Sequence, residues 1–170
     1  MAAIMPSSMS TVFNFTFVPW FRSVAPYIHK FRQQTFVVGI TGEAIAAGKL
    51  QAIVQDLAMI QAMGVKIVLV HGFRPQVNEQ LRLKNHEPQY AAGMRITDSI
   101  ALDCAQEAAG QLRYEIEAAF SQGLPNTPMA GARVRVMSGN FLTARPVGIV
   151  DGVDFQHTGL VRKVDVEGIR

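Results

Sequence analysis

The sequence lacks the residues from which a disulfide or a clustered metal site is built. Its 170 residues include a single cysteine, Cys104, so no disulfide can form within the chain. The four histidines are dispersed along the sequence without a spacing such as H-x-x-x-H, which argues against a metal site. A chain with one cysteine and no disulfide fits a reduced, cytoplasmic setting.

Charge of either sign is also sparse and is not concentrated anywhere. Sixteen Lys and Arg against thirteen Asp and Glu leave a net charge of +3, and the densest basic cluster is the pair Arg162 and Lys163. A nucleic-acid groove needs a denser basic surface, so we expect no nucleic-acid partner. Charged residues make up 17% of the chain, below the usual quarter. This low fraction fits either a well-filled core or an oligomer interface.

No segment of the sequence is long and apolar enough to cross a membrane. The apolar residues 13–20 are too few for a span and include Pro19, and residues 1–16 contain no Lys or Arg to begin a signal peptide. We therefore expect no membrane association. The N-terminal region divides into a flexible extension over residues 1–18 and a docking or oligomerisation helix over 19–33, whose apolar residues recur at helical spacing.

What the chain does contain is 49% hydrophobic residues arranged as alternating strands and helices. The order of these segments is strand 36–40, helix 43–63, strand 65–70, a turn at 71–75 and a helix to about residue 84. This β-α-β-α order predicts an α/β fold with a mainly parallel open sheet sandwiched by helices. Residues 34–170 are expected to form the N-terminal part of one domain of that class.

The second half predicts one long helix followed by short strands. Asp98 is expected to cap a helix that runs to residue 120. Strands are predicted at 132–137 and 141–144, and 147–150 is expected to pair with 159–164 as a hairpin. A helix is predicted to start at 165–167, three residues before the last one. We therefore expect the domain to be incomplete at its C-terminal end and the chain to be part of a longer protein.

Two turns at strand ends are the first candidates for a ligand site. Open α/β sheets bind ligands where strands end and helices begin, and Gly42 follows the first strand while His71 and Gly72 follow the second. Glycines at such turns let a ligand approach the backbone. They are equally common for purely steric reasons, so both explanations stay open.

Arg95 is a further candidate because its planar guanidinium suits a small carboxylate. The alternative is an ordinary exposed arginine in a loop. No Ser-His-Asp or Cys-His arrangement is present, and Cys104 lies in the middle of a helix, which is typical of a packed and inert thiol. The sequence thus offers no catalytic residue and no metal ligand.

Several motifs together carry a family resemblance over about residues 21–170. They are Pro26-Tyr27-Ile28, Phe31-Arg32, a strand ending in glycine, His71-Gly72 and Gly93-Met94-Arg95-Ile96-Thr97. This set resembles the amino-acid kinase (carbamate kinase-like) fold of acetylglutamate kinases. The later stretches 137–141, 150–154 and 157–159 are more similar to bacterial N-acetylglutamate synthases, in which a kinase-like domain precedes an acetyltransferase domain.

The chain departs from the kinases at the end of its first strand. The kinases have Lys-x-Gly-Gly there, and the lysine neutralises phosphoryl charge, whereas this chain has Gly39-Ile40-Thr41-Gly42. Phosphoryl transfer depends on positioning and charge stabilisation, which a glycine at position 39 cannot supply. The second turn also differs, because Phe73 and Arg74 replace further glycines. The resemblance therefore implies a domain that does not phosphorylate.

In the synthases this domain senses L-arginine, the end product of the pathway, and its N-terminal helix joins subunits. The resemblance implies a homo-oligomer with L-arginine as allosteric effector. It also implies six ligand-binding residues: Tyr27, Gly42, His71, Gly72, Arg95 and Asn140. Tyr27 matches a tyrosine that contacts arginine, although core packing would explain it equally, and Arg95 matches the arginine that holds the substrate carboxylate in the kinases.

The whole protein would transfer acetyl from acetyl-CoA to L-glutamate in the first step of arginine biosynthesis. The acetyltransferase domain is not in this chain, so we expect no cofactor here, with acetyl-CoA as co-substrate of the missing domain. Two alternatives remain from the sequence. One is an acetylglutamate kinase-like phosphotransferase, and the other is a stand-alone arginine-binding or assembly module.

Overall fold

A computed structural model describes residues 7–123, 130 and 134–170, with side chains from residue 16 onward. In this part of the chain the helices are Ser7–Phe31 (α1), Gly42–Ala46 (α2), Leu50–Ala62 (α3), Arg74–Leu83 (α4), Ser99–Ser121 (α5) and Val166–Ile169 (α6). The strands are Thr35–Ile40 (β1), Lys66–His71 (β2), Gln89–Ala91 (β3), Met94–Ile96 (β4), Leu142–Pro146 (β5), Ile149–Val150 (β6), Val153–Asp154 (β7) and Gly159–Val164 (β8).

Strands β1 and β2 form the parallel pair that the sequence predicts. Thr35 lies opposite Lys66 and Ile40 lies opposite His71, so the two strands end at the same edge. The helix expected at 43–63 is interrupted, because Gly48 takes a positive φ of 72° and separates α2 from α3. A left-handed residue cannot continue an α-helix. The α/β class is confirmed, while the other strand pairs of the described residues are antiparallel.

One face of the parallel pair is covered by α3 and α5. Val38, Ile67 and Leu69 pack against a buried cluster from the two helices, made up of Val54, Leu57, Ile116, Ala119 and Phe120. On the opposite face Val37 is 70% exposed and Val70 is 54% exposed. The first strand is therefore buried on one face only. Parallel sheets are normally covered on both faces, and the described residues supply one covering layer.

A second apolar cluster joins α4 to the first half of α5. It contains Val77 and Leu81 from α4 together with Ala101, Cys104 and Ala108 from α5. Cys104 has no exposed surface, in agreement with the expectation of a packed thiol. This cluster fixes α4 relative to α5 and so positions the turn that precedes α4.

Helix α1 is longer than expected and ends against the start of the sheet. It begins at Ser7 rather than near residue 19, so the predicted flexible extension is helical from Ser7 onward. The Phe31 ring lies 5.4 Å from Phe36 at the start of β1, edge to face. The Gln33 amide donates to the Gly64 carbonyl at 2.7 Å, just before β2. These contacts fix the end of α1 at the amino ends of both strands.

The C-terminal strands pair differently from the predicted hairpin. Ile149–Val150 pairs with Val153–Asp154 across Asp151-Gly152, and both turn residues have positive φ. A two-residue Asp-Gly turn favours this tight hairpin, so residues 149–150 are not available to β8. Strand β8 pairs with β5 instead. The predicted pairing of 147–150 with 159–164 is therefore wrong.

The strand predicted at 132–137 and the helix start predicted at 165–167 have different outcomes. No strand is formed at 134–137, and residues 132–133 lie outside the described part, as does most of the loop predicted after α5. The helix start at 165–167 is confirmed, because the Asp165 carboxylate accepts from the Gly168 amide at 3.1 Å and α6 follows. Among the described helices, none has the length and apolar character that a membrane span requires.

The N-cap of α5 is Asp98, as the sequence predicts. Its carboxylate accepts from the Ala101 amide at 2.8 Å, and His86 Nε2 lies 2.8 Å from its other oxygen. The Ala101 amide first, and then the contact with His86, hold the Asp98 pKa below its ordinary value of 3.8. The ionised carboxylate is therefore the form that stabilises the start of α5.

We expect Asp98→Ala to lower the free energy of unfolding by about 1 kcal/mol at pH 7, since a lost N-cap costs that order. A lowered folded-state pKa stabilises the fold above pH 3.8, and that stabilisation is lost as the pH falls through the lower folded value. The difference between the two proteins should therefore shrink in acid. Urea unfolding across pH 2–7 measures it, with Asp103→Ala on the exposed side of α5 as control. A difference that does not change with pH would contradict the assignment.

Candidate functional site

The turns that follow β1 and β2 lie against each other. The Gly72 amide donates to the Ile40 carbonyl at 2.8 Å, and the Gln76 side-chain amide donates to the Gly42 carbonyl at 3.1 Å. Thr41 caps α2 by accepting from the Ala44 amide at 3.2 Å. Gly42 and Gly72, predicted separately from two motifs, therefore form one surface at the carboxyl edge of the parallel pair.

A Cβ at either glycine would crowd this contact. A Cβ at Gly42 would lie 2.8 Å from Pro75 Cδ and 3.1 Å from the backbone Cα of Phe73. A Cβ at Gly72 would lie 3.1 Å from the Gly42 nitrogen. The steric explanation of these glycines is thus supported by the structure, and a ligand contact at either one stays a prediction.

Gly39, where the kinases carry lysine, faces open space. A Cβ built there would meet no atom within 4 Å, and the residue lies on the exposed face of β1. The position has room for a side chain, but glycine provides none. The end of β1 therefore provides no side-chain cation at this position.

Arg95 lies in a small cavity next to the second turn. The cavity has a volume of about 260 Å³ and is lined by Gly72, Phe73, Arg74, Val77, Arg95, Thr97 and Ala105. Arg95 Nη2 donates to Asn78 Oδ1 at 2.6 Å, and the Tyr90 hydroxyl donates to the same oxygen at 3.0 Å. The guanidinium is therefore held by neutral groups.

Buried polar atoms without partners collect at this end of the sheet. Within the described residues they are His71 Nδ1, Gln76 Oε1 and Arg95 Nη1. Buried polar groups in folded proteins almost always form hydrogen bonds, so water or a ligand is expected to pair with these three atoms. His71, which was predicted from its position at the end of the second strand, is one of the three.

The backbone from Arg95 to Thr97 is held by one threonine from the C-terminal half. The Thr158 hydroxyl donates to the Arg95 carbonyl, accepts from the Thr97 amide at 3.2 Å and lies 2.8 Å from the Thr97 hydroxyl. The His157 amide donates to the Thr97 carbonyl at 2.9 Å. Buried Phe155 anchors the same segment. The C-terminal strands thus help to place Arg95.

Four of the six predicted residues come together here, and two do not. Gly42, His71, Gly72 and Arg95 lie at the carboxyl edge of the parallel pair. Tyr27 lies on α1, which contacts the amino ends of the strands. Because the six residues of a strand span about 17 Å, Tyr27 lies at the opposite end of the sheet from these four residues. Asn140 is exposed in the segment that precedes β5.

Sequence reasoning missed Asn78, Tyr90 and Thr158. Tyr90 and Arg95 are cross-strand partners in the β3–β4 hairpin, which turns at Ala92-Gly93 with both residues at positive φ. An alternating pattern on either side of Ala-Gly could have indicated this hairpin. Thr158 is 63 residues from Arg95, and no local signal predicts that contact. In the described ranges no cluster of three or more His, Cys, Asp or Glu is placed to hold a metal.

Comparison with known proteins gives consistent matches. The model of the Amino acid kinase family matches residues 34–170. The amino-acid acetyltransferase of Ralstonia nicotianae is 64% identical over 154 residues, which are 91% of this chain and 34% of that protein. The amino-acid acetyltransferase of Pseudomonas fluorescens strain SBW25 is 47% identical over 153 residues, 90% of this chain and 35% of that protein.

A solved structure also matches the chain. The crystal structure of N-acetylglutamate synthase from Neisseria gonorrhoeae complexed with coenzyme A and L-arginine superimposes with a TM-score of 0.77 at 35% identity. That match covers 91% of this chain and 36% of the gonococcal one. The chain therefore spans about a third of the length of the relatives that it matches.

Proposed function

The chain belongs to the amino acid kinase family, and we propose that it is the regulatory, kinase-like portion of an N-acetylglutamate synthase. The observation that carries this proposal is the match of 91% of the chain to a synthase solved with coenzyme A and L-arginine. The 64% identity to an amino-acid acetyltransferase supports it independently. In this proposal the chain is the N-terminal third of a longer, cytoplasmic protein.

The whole protein would transfer acetyl from acetyl-CoA to the amine of L-glutamate, opening arginine biosynthesis. Acetyl-CoA and L-glutamate are then bound outside this chain, which supplies no catalytic residue. The alternative function, that of an acetylglutamate kinase, has less support than the synthase proposal. Gly39 leaves open space at the position where transferred phosphoryl charge needs a cation, and Arg74 occupies a position where the kinases have a glycine.

Helix α1 is the proposed assembly element. Trp20 is 58% exposed and Phe21 is 47% exposed, and both lie on the part of the helix that precedes its contact with the sheet. Aromatic side chains at the centre of an interface contribute much of its binding energy. A second copy of the chain is the proposed occupant of this surface, giving a homo-oligomer. Removal of residues 1–32 should then reduce the oligomer size measured by light scattering, and an unchanged size would remove the assembly role.

L-Arginine is the proposed effector, with Tyr27 as a contact residue. Tyr27 is 62% exposed, and its ring stacks on the Phe31 ring with the centroids 6.5 Å apart. Phe31 in turn contacts Phe36 of β1. An aromatic face of this kind attracts a guanidinium, and exposed cation–π contacts contribute about 0.5–1 kcal/mol. Arginine bound at Tyr27 would thus be coupled to the position of α1.

We expect Tyr27→Ala to raise the L-arginine concentration for half-maximal effect on acetyl transfer by about twofold to fivefold, the ratio for roughly 0.5–1 kcal/mol. The assay uses the whole protein that contains this chain. Tyr114, exposed on α5, provides the matched control because Tyr114→Ala removes a comparably exposed tyrosine from a different helix. An unchanged arginine response in Tyr27→Ala would exclude Tyr27 from the effector site.

A further inference from the structure

One face of helix α3 is exposed along its length. The residues of this face recur at helical spacing, the last of them directly after the helix: Ala52, Asp56, Met59 and Met63. We propose that this outer face of α3 is the surface on which helix α1 of a second copy of the chain docks. The inference rests on the assembly role proposed for α1, and it adds the surface that receives this helix.

The outer face of α3 points away from the core of its own copy. The buried residues of α3 are Val54, Leu57 and Ala58. Since each residue turns the helix by about 100°, Met59 and Met63 lie on the opposite side, where they are 45% and 40% exposed. A methionine side chain is flexible, and its sulfur packs favourably against aromatic rings. The two methionines thus form a surface suited to an aromatic partner.

Helix α1 presents aromatic side chains that its own copy leaves uncovered. The side chains of residues 18–23 are all exposed, and Trp20 and Phe21 are the aromatic ones among them. Phe31, which contacts β1, lies eleven residues after Trp20, which is about 16 Å along the helix axis. The aromatic pair is therefore placed to reach a neighbouring copy.

The end of α1 lies beside the end of α3. The Gln33 amide, two residues after α1, donates to the carbonyl of Gly64, which directly follows Met63. The Arg32 side chain lies over the same glycine, because a Cβ built on Gly64 would lie 3.0 Å from Arg32 Cγ. Met59 and Met63 stay exposed in this arrangement, so α1 of the same copy does not cover them. A twofold axis at this edge would place each α1 on the α3 of the other copy, in two identical contacts.

Charge favours this pairing over the packing of α1 on a second α1. Helix α1 contains Arg22 and Lys30, and residues 1–42 include no Asp or Glu. Asp56 is the one charged residue of α3, and within the described ranges neither Asp56 nor Arg22 forms an ion pair. The last carbonyl groups of α3 add partial negative charge near Met63. A basic helix on this face brings opposite charges together, whereas two α1 helices side by side would bring like charges together.

Chemical crosslinking of the whole protein that contains this chain tests where α1 docks. Ser23 lies one turn after Trp20 on α1, Ala62 lies next to Met63, and both are exposed. A protein with Ser23→Cys and Ala62→Cys, treated with a short bismaleimide, should form crosslinked dimers above the level of the parent protein. Cys104 is buried and is not expected to react. The absence of such dimers, an equal yield from Ser23→Cys alone, or a crosslink within one copy would each overturn the proposal.

The size of the assembly tests the methionines of the outer face. Met59→Lys removes one methionine and adds a positive charge opposite the basic helix. It should therefore raise the dissociation constant of the oligomer about tenfold or more, as for the loss of a central interface contact. Met137→Lys is the matched control, because Met137 is 89% exposed outside α3 and its change should leave the constant as it is. Analytical ultracentrifugation of the two variants measures the contrast.

The same measurement separates docking on α3 from the assembly role of α1. If removal of residues 1–32 reduces the oligomer size and Met59→Lys leaves it unchanged, the receiving face is wrong while α1 remains the assembly element. If neither change alters the size, the assembly role of α1 and the docking on α3 are both wrong.

Discussion

Gly42→Ala is expected to lower the free energy of unfolding by about 1–3 kcal/mol, the usual cost of overpacking a tight contact. The added Cβ would lie 2.8 Å from Pro75 Cδ and 3.1 Å from Phe73 Cα. A proline ring and a backbone atom cannot rotate away, so one turn must move relative to the other. Alanine gains up to about 1 kcal/mol over glycine in a helix, which offsets the clash only in part.

Gly39→Ala is the matched control, three residues earlier on β1. No atom lies within 4 Å of its added Cβ, and the φ angle is not positive. Alanine should therefore leave stability unchanged or raise it by up to about 1 kcal/mol, since glycine loses more backbone entropy on folding. Urea unfolding of the two variants measures the contrast. Equal stabilities would show that the two turns do not pack as described.

Thr158→Val is expected to lower the free energy of unfolding by about 2–3 kcal/mol. The change keeps the shape of the side chain and removes the oxygen that serves the Arg95 carbonyl, the Thr97 amide and the Thr97 hydroxyl. Each buried polar group that loses its partner costs about 1–3 kcal/mol of stability. The expected loss is smaller than the sum for three groups, because water can reach part of this partly buried cluster. The same change frees the backbone that carries Arg95.

Thr158→Ser provides the internal control because it retains the hydroxyl and removes one methyl group. It should keep most of the stability lost in Thr158→Val. Thr143→Val, on exposed strand β5, tests the generic effect of the substitution and should change stability by less than about 0.5 kcal/mol. Equal losses in Thr158→Ser and Thr158→Val would show that the hydroxyl bonds are not what holds this segment.

Local patterns predicted the first half of the fold well. Short apolar runs predicted β1 and β2, and Asp98 predicted the start of α5. The break at Gly48 was missed because a glycine inside a helical pattern is tolerated, and only its positive φ ends the helix. The pairing of β8 with β5 joins residues that are distant in sequence, so the nearer segment 147–150 was chosen wrongly.

The candidate site was predictable only where motifs mark it. Gly42, His71, Gly72 and Arg95 follow strand ends or belong to a family motif, and the structure places them at one edge. Asn78 and Tyr90 were missed, because their roles depend on how α4 and the β3–β4 hairpin face each other. Side-chain contacts between separate elements leave no periodicity in a sequence.

The measurement that tests the account most directly is a paired assay of the whole protein that contains this chain. One arm follows acetyl transfer from acetyl-CoA to L-glutamate with and without L-arginine, and the other follows ATP-dependent phosphorylation of N-acetyl-L-glutamate. We predict acetyl transfer whose rate changes with L-arginine and no phosphorylation above background, as the glycine at position 39 requires. Phosphorylation without acetyl transfer would contradict the account and assign the chain to a working kinase.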